Sequence, residues 1–344
     1  MQKAYCPRRP DLAHLPVLYP NFGKASGGER NLFLGKAYEC FNEPIVQVVD
    51  DPAAAEFILI PHHFPYVRDD RAYLAEVSAL AARHGKKIVA VNYGDAPCAV
   101  DLPNSVAFIS SAYRYALRPN ERMMPAYAED LHGPGPFAPR PKGERPVVGF
   151  CGWSDFKNWK NALGTWTGNA LVRARACLAG DERILSERKG LSFRREALAV
   201  LGAEPGVETN FLIRKSYSGH AQTISLPPEQ ARREYVDNMR DCDLALVVKG
   251  DGNYSYRFYE ALSLGRIPLF VDTETPLPLE NEIDYDEFLL TVRRAELPWI
   301  GVVARDWWRG STAAEVERRQ LAARQAYTDY LRPDRFFARA FAAL

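Results

Sequence analysis

Between residues 133 and 146 the chain reads GPGPFAPRPKGERP, a stretch too dense in proline and glycine to continue a helix or a central strand. The same grammar runs on both sides of it. Upstream, residues 16–20 (PVLYP), 45–50 (IVQVVD), 56–61 (EFILIP), 86–95 (KKIVAVNYGD) and 105–110 (SVAFIS) read as strands. Residues 71–85 read as a helix, apolar at helical spacing and closed by glycine. Downstream, 146–152 (PVVGFCG), 207–213 (VETNFLI) and the DLALVV run at 243–248 read as strands, with helices expected over 169–180 and 228–242. The final stretch, from residue 312, reads as helical and broken near Pro333. Strands alternating with helices imply βαβ units and mainly parallel sheets. A chain of 344 residues outgrows one typical core. The expected fold is therefore α/β, with two Rossmann-like domains facing across a cleft, 1–140 and 141–344. The terminal helices are expected to dock back on the first domain. No short fixed period points to a solenoid.

Charge and cysteine usage narrow the class. Lys plus Arg number 44 and Asp plus Glu 43, so no global basic field exists to hold nucleic acid. The start, MQKAYCPRRPDLAHLP, lacks the apolar core of a secretory signal, and no run approaches the roughly 20 apolar residues that span a bilayer. The six cysteines are scattered without CxxC spacing and read as reduced thiols. A cytoplasmic protein is expected, with peripheral contact at the inner face of a membrane left open. Oligomeric state is not legible.

Residues 247–272, VVKGDGNYSYRFYEALSLGRIPLFVD, carry the chemistry. A strand enters a glycine-bearing loop, then a helix, then a second strand. In a parallel sheet, ligands bind beyond the carboxyl ends of the strands, where this loop falls. Gly250 and Gly252 let the backbone bend close to a ligand. Ser255 is the expected helix cap, and the N–H groups beyond it suit an anion. Arg257 offers phosphate a planar fork, and Glu260, one turn on, offers paired ribose hydroxyls a carboxylate. Lys249, Asn253 and Tyr254 complete the loop as further nucleotide contacts. The competing reading is an ordinary i,i+3 ion pair on a solvated face. The loop matches neither a P-loop nor GxGxxG.

The segment KGDGNYSYRFYEALSLGRIPLFVDTETPLPLENEIDYDEF resembles the signature of the exostosin-like glycosyltransferases, glycosyltransferase family 47. The likeness rests on Gly250, Asp251, Ser255, Arg257, Phe258, Glu260, Ala261, Gly265, Ile267, Pro268, Asp272, Leu277 and Pro278. DPAAAEFILIPHHF, VNYGDAP and RPVVGFCG are similar to upstream segments of the family. The chain departs from the pattern at Lys249, Arg266 and the PHHFPY segment. The resemblance implies a GT-B enzyme that takes the nucleotide sugar mostly on its second domain and the acceptor mostly on its first. It also implies inversion at the anomeric carbon, with no metal or other cofactor.

An inverting transfer needs one general base and positive groups for the departing phosphate. His62 and His63, after the strand EFILIP, and Asp95, after KKIVAVNYG, are the candidate bases; Asp95 is equally a turn or cap residue. Arg257 leads the phosphate contacts, followed by Arg214 and Lys215, which also fit a solvated loop pair. Gly152 allows close approach of a diphosphate, and Trp153 offers a stacking face or a domain contact. Asn21, Phe22 and Gly23 are expected to line the acceptor cleft. The DYD triplet at 284–286 reads as structural, and RDWWRG at 305–310 as core or a domain contact. The resulting expectation is transfer of a sugar from a nucleoside-diphosphate donor, with uridine as its base, to a glycan or lipid-linked acceptor in surface polysaccharide or glycoconjugate synthesis. The alternatives are a non-catalytic nucleotide-sugar-binding partner of another transferase, and a sugar-nucleotide epimerase of the same fold.

Overall fold

The structure, a computed structural model, describes residues 1–24 and 32–344. Most of the glycine-rich stretch that follows Gly23, residues 25–31, lies outside the described residues. The first sheet contains β1 (Gln2–Tyr5), β2 (Val46–Val48), β3 (Phe57–His63), β4 (Lys87–Asn92), β5 (Ser105–Ile109) and β6 (Glu121–Met123). The second contains β7 (Val147–Trp153), β8 (Glu208–Arg214), β9 (Leu244–Val247), β10 (Ile267–Asp272) and β11 (Leu290–Arg293). Their spatial orders are β2-β1-β3-β4-β5-β6 and β11-β10-β9-β7-β8, and every pairing is parallel. The chain is thus α/β with two Rossmann-like sheets. In each, the strand order reverses after the first strand, between β1 and β3 and between β7 and β9. Crevices at such reversals are where open α/β sheets hold ligands. The proline- and glycine-rich stretch 133–146 falls between β6 and β7.

Local sequence explains the elements. β3 and β9 are buried at every position, as parallel strands covered on both faces should be. The helix Arg71–His84 begins where the Asp70 carboxylate accepts the Tyr73 N–H at 3.1 Å. It ends at Gly85, whose φ of 62° lets its N–H turn back to Ala81 and Ala82.

Several expectations need correction. Residues 16–20 form a turn of 3-10 helix, Pro16–Leu18, and a one-turn helix, Tyr19–Phe22, because each begins at or beside a proline that favours a helical first turn. The strand of that region is instead β1. β3 runs on through His62 and His63, so both histidines sit inside the sheet rather than in the loop beyond it. Its register with β4 shifts between Leu59 and His63, around Pro61, which has no N–H to donate. The helix expected from residue 169 begins at Trp159, capped by Asn158, whose side-chain oxygen accepts the Asn161 N–H at 2.9 Å. A helix not anticipated, Gly190–Ala203, follows it. Asp284 caps the short turn Tyr285–Glu287 by accepting the Asp286 N–H. Trp308 of RDWWRG is fully buried in the second core, its indole N–H donating to the Gly143 carbonyl at 3.1 Å.

The final helix, Pro333–Ala342, leaves the second sheet and packs on the first. Phe336, Phe337 and Phe341 join Phe57, Phe108 and Tyr127 in one aromatic core. Further links hold the two halves together. Arg324 pairs with Asp130 at 2.6 Å, and the Tyr327 hydroxyl donates to the Ala128 carbonyl at 3.0 Å. No helix among the described residues is long and apolar enough to cross a membrane.

Candidate functional site

A cavity of about 950 Å³ opens where the carboxyl ends of the two sheets face each other. The second half supplies Gly152 and Trp153 at the end of β7, the loop after β9, and the helix Tyr256–Ser263. The first half supplies Asp95, just beyond β4, with Tyr127, Glu129 and Phe33. The segment 247–272 therefore reaches the crevice by its topology.

Arg257 enters the cavity from the first turn of its helix. Its guanidinium donates to the Cys151 carbonyl and lies over the rings of Phe150 at 4.5 Å and Tyr235 at 5.0 Å. Gly152 makes room for this: a Cβ there would stand 3.2 Å from the Arg257 Nη2. Arg194, from the unanticipated helix, comes alongside and donates to the carbonyls of Trp153 at 3.0 Å and Lys249 at 2.9 Å. Burial, and then the neighbouring Arg257, bring the Arg194 guanidinium down to about 10. Among the described residues, neither arginine has a carboxylate at ion-pair distance. Two half-buried guanidiniums held, among the described residues, on carbonyl oxygens are electrostatically undercompensated, and an anion is the natural complement. Ser255 stands at the cap position of the Arg257 helix, but its hydroxyl makes no capping bond, so the first-turn N–H groups carry no side-chain cap. The positive end of that helix adds to the field at the cavity wall.

Glu260 does not pair with Arg257. One carboxylate oxygen accepts from Arg232 at 3.1 Å and the other from the Tyr235 hydroxyl at 2.5 Å. Arg232 also bonds Glu129 of the first half, so one guanidinium joins two carboxylates across the cleft. Neither the solvated ion pair nor an unengaged carboxylate describes Glu260. It is buried, oriented, and still lines the cavity with lone pairs to spare.

Asp95 is the cavity-lining member of the three candidate bases. It is open to the cavity yet surrounded on most sides by protein, and that desolvation raises its pKa, with Asp251 adding to the rise. The Tyr254 hydroxyl and the Gly252 N–H hydrogen-bond the carboxylate and oppose the shift. Gly252 brings the loop this close: a Cβ there would lie 3.0 Å from the Asp95 Cα and 2.9 Å from the Ser111 Oγ. Tyr254 lines the same cavity.

The structure places the other candidates elsewhere. His62 spends both ring nitrogens on backbone, accepting the Arg9 N–H at 2.8 Å and bonding the Ala13 carbonyl at 2.9 Å. His63 lies tilted against Tyr93 with ring centroids 4.1 Å apart, and burial lowers its pKa to about 4. Neither lines the cavity, because β3 carries both past the point where the sequence suggested a loop. Lys249 turns into the seam between the halves, donating to the Tyr113 hydroxyl at 2.8 Å and the Ser186 carbonyl at 2.6 Å. Asn253 is also a seam residue. Its N–H donates to the Ser111 hydroxyl at 2.9 Å and its amide to the Ala112 carbonyl at 2.8 Å. Arg214 lines the cavity but is paired with Glu234 at 2.9 Å, whereas Lys215 is exposed and outside the lining. Trp153 lines the cavity, its indole N–H tied to the Asp155 carbonyl at 2.9 Å. Asn21 donates to the Val46 carbonyl at 3.1 Å, Phe22 lies under Arg8, and the Gly23 carbonyl meets His14 at 2.6 Å. All three are outside the lining, where Phe33, Leu34 and Ala37 take their place.

Arg194, Arg232, Tyr235 and Glu129 were not singled out from sequence. Each stands on an element whose own pattern is that of an ordinary surface helix or loop, so no local signal marks it.

Fold and site together define an α/β protein of two Rossmann-like halves with a cationic pocket over their facing edges. Residues 192–326 match the family model described as the RXYLT1 C-terminal domain. No curated protein matches the chain. Among solved structures, Anabaena HepE in complex with UDP and glucose is similar over 100% of both chains, at 11% identity and a TM-score of 0.42. The same protein bound to UDP-glucose aligns at 11% identity and a TM-score of 0.41, again over 100% of each chain.

Proposed function

We propose that this protein is an inverting glycosyltransferase that takes a nucleoside-diphosphate sugar as donor and a glycan or lipid-linked hydroxyl as acceptor. The observation that carries the reading is the pair Arg194 and Arg257, held side by side on backbone carbonyls with no carboxylate partner among the described residues, at the switch point of the second sheet. The diphosphate sits against these guanidiniums and the helix N-terminus. Glu260, oriented by Arg232 and Tyr235, takes the ribose hydroxyls on its remaining lone pairs. The segment that matches the RXYLT1 C-terminal domain, residues 192–326, includes Arg194, Arg232, Tyr235, Arg257 and Glu260.

In the reaction the acceptor oxygen attacks the anomeric carbon from the side opposite the diphosphate. Asp95 takes the hydroxyl proton as that bond forms. The bond from the anomeric carbon to the phosphate oxygen breaks, and its electron pair leaves with the nucleoside diphosphate. Arg194 and Arg257 meet the charge that develops there, so the arginines supply what a divalent cation supplies in other transferases. The raised pKa of Asp95 suits it to receive a proton, and Asp95 lines the cavity from the first half. Calorimetric titration with UDP and GDP, followed by assay of diphosphate release from their sugar conjugates, tests the reading. Failure of every nucleoside diphosphate to bind would refute it.

A further inference from the structure

The helix Trp159–Ala179 is turned inside out. Its inward face carries Ala162, Thr165, Asn169 and Ala176. That face is fixed by polar bonds: Asn169 donates to the Ser192 hydroxyl at 2.6 Å and accepts the Lys189 N–H at 3.0 Å. The large apolar residues point outward instead. Trp159 is 69% exposed, Leu163 48%, Trp166 62%, Leu171 68% and Leu178 89%. With 3.6 residues per turn, these positions fall on one side of the cylinder. A soluble helix normally shows the opposite arrangement, and an outward apolar face this long is a contact surface.

The charge on the segment names the partner. From residue 156 to 180 there are four cations, Lys157, Lys160, Arg173 and Arg175, and no acidic residue, in a chain whose net charge is only +1. Arg175 is paired with Glu187 at 2.7 Å; the other three make no ion pair among the described residues. A second copy seated on this face by a twofold axis would bring these cations against their own equivalents. An anionic bilayer meets them with opposite charge and also accepts tryptophan and leucine at its interface. At 21 residues the helix is about 30 Å long, and it is not apolar enough to cross a membrane, so it suits lying in the surface plane.

We propose that the outward face of this helix docks the protein on an anionic lipid surface. The same helix presents Lys160, Asn161 and Thr165 to the cavity, so docking brings the cavity mouth to the bilayer. Resting on the transferase reading, this favours a lipid-anchored acceptor. The docking itself is independent of that reading.

The test is co-sedimentation of the full chain with phosphatidylcholine vesicles and with vesicles containing phosphatidylglycerol, at low and high salt. With Lys160 turned to the cavity, Lys157 and Arg173 remain for the surface. Each cation near the surface is worth about a fivefold gain, so binding to the anionic vesicles should exceed binding to neutral ones by about twenty-five-fold and collapse in high salt. The triple variant W159Q/L163Q/W166Q, none of whose residues lines the cavity, should lose at least about tenfold of vesicle affinity. It should bind UDP as the parent does. No binding by the parent, or equal binding by parent and variant, would overturn the proposal. So would a parent that dimerises through this face by light scattering and ignores vesicles. If UDP fails to bind while vesicle docking holds, the transferase reading fails alone.

Discussion

Replacing Arg257 with methionine should separate binding from stability. In the cavity Arg257 lies between Phe150 and Tyr235 and donates to one backbone carbonyl, with Arg194 as a like-charged neighbour. A methionine side chain can occupy the space between those rings, where sulfur–aromatic contacts are favourable. It also removes one of two adjacent positive charges, and the Arg194 guanidinium, held down to about 10 by burial and then by Arg257, should recover part of that drop. The fold should therefore hold or gain. Ligand binding should not. A charge-assisted hydrogen bond lost from a phosphate costs about 1.5–3 kcal/mol, partly recovered where Arg194 shifts toward the ligand. The expected loss is one to two orders of magnitude in UDP affinity, about 1.4–2.8 kcal/mol. Arg257→Lys should fall between, since it keeps the charge and loses the fork. Isothermal titration with UDP gives the affinity, and scanning calorimetry gives the midpoint. If Arg257→Met binds UDP within about threefold of the parent, or melts several degrees lower, the anion-site argument is wrong.

Asp95→Asn should leave UDP affinity within about twofold and abolish sugar transfer, and the acid limb of kcat in the parent should lie above the ordinary carboxylate range, because a base of raised pKa stays protonated to higher pH; full turnover by the variant would remove Asp95 from the role of base. Transfer should persist in a strong chelator, and loss of activity restored by manganese or magnesium would show that the arginines do not suffice. Burial lowers the Lys249 ammonium from 10.5 to about 7, so between those values the unfolded chain holds a proton that the native chain does not. Stability from this group therefore rises with pH across that window, by about 1.4 kcal/mol per unit, and falls toward pH 7. Urea unfolding of Lys249→Met at several pH values should lack that increment, and parallel slopes for parent and variant would contradict it. Gly252→Ala should cost about 1–3 kcal/mol, because its Cβ would press on Tyr254, Ser111 and Asp95 together; an unchanged denaturation midpoint would mean the two halves are looser than they look.

The parts of this molecule that sequence made legible are those in which cause and effect are neighbours along the chain. The run LALV, then a glycine-bearing loop, then a helix opening with Arg257, encodes strand, crevice and cation within some fifteen residues. The pocket that Arg257 serves is not local. Arg194 arrives from one helix and Arg232 from another, and only tertiary packing brings them to Arg257 and Glu260. The histidines misled for a different reason. A strand buried on both faces has no alternation to mark its end, and Pro61 looked like a stop where the structure absorbs it in a register shift. β1 is not legible in the sequence because four residues, QKAY, carry too little pattern. The place of Lys249 and Asn253 in the loop suggests ligand contacts, but a polar residue beside a crevice can equally serve the seam that builds it.

The helix Pro333–Ala342 has a consequence for biosynthesis. The aromatic rings that complete the core beneath the first sheet leave the ribosome only after the strands of the second sheet. The first half, although made before the second, then waits with Phe57, Phe108 and Tyr127 incompletely covered until the second half has emerged. Domain-by-domain folding during translation is therefore blocked for this chain. A nascent product stalled before residue 333 presents an unfinished apolar sheet to chaperones and proteases, so partial synthesis should yield clearance rather than a folded N-terminal fragment.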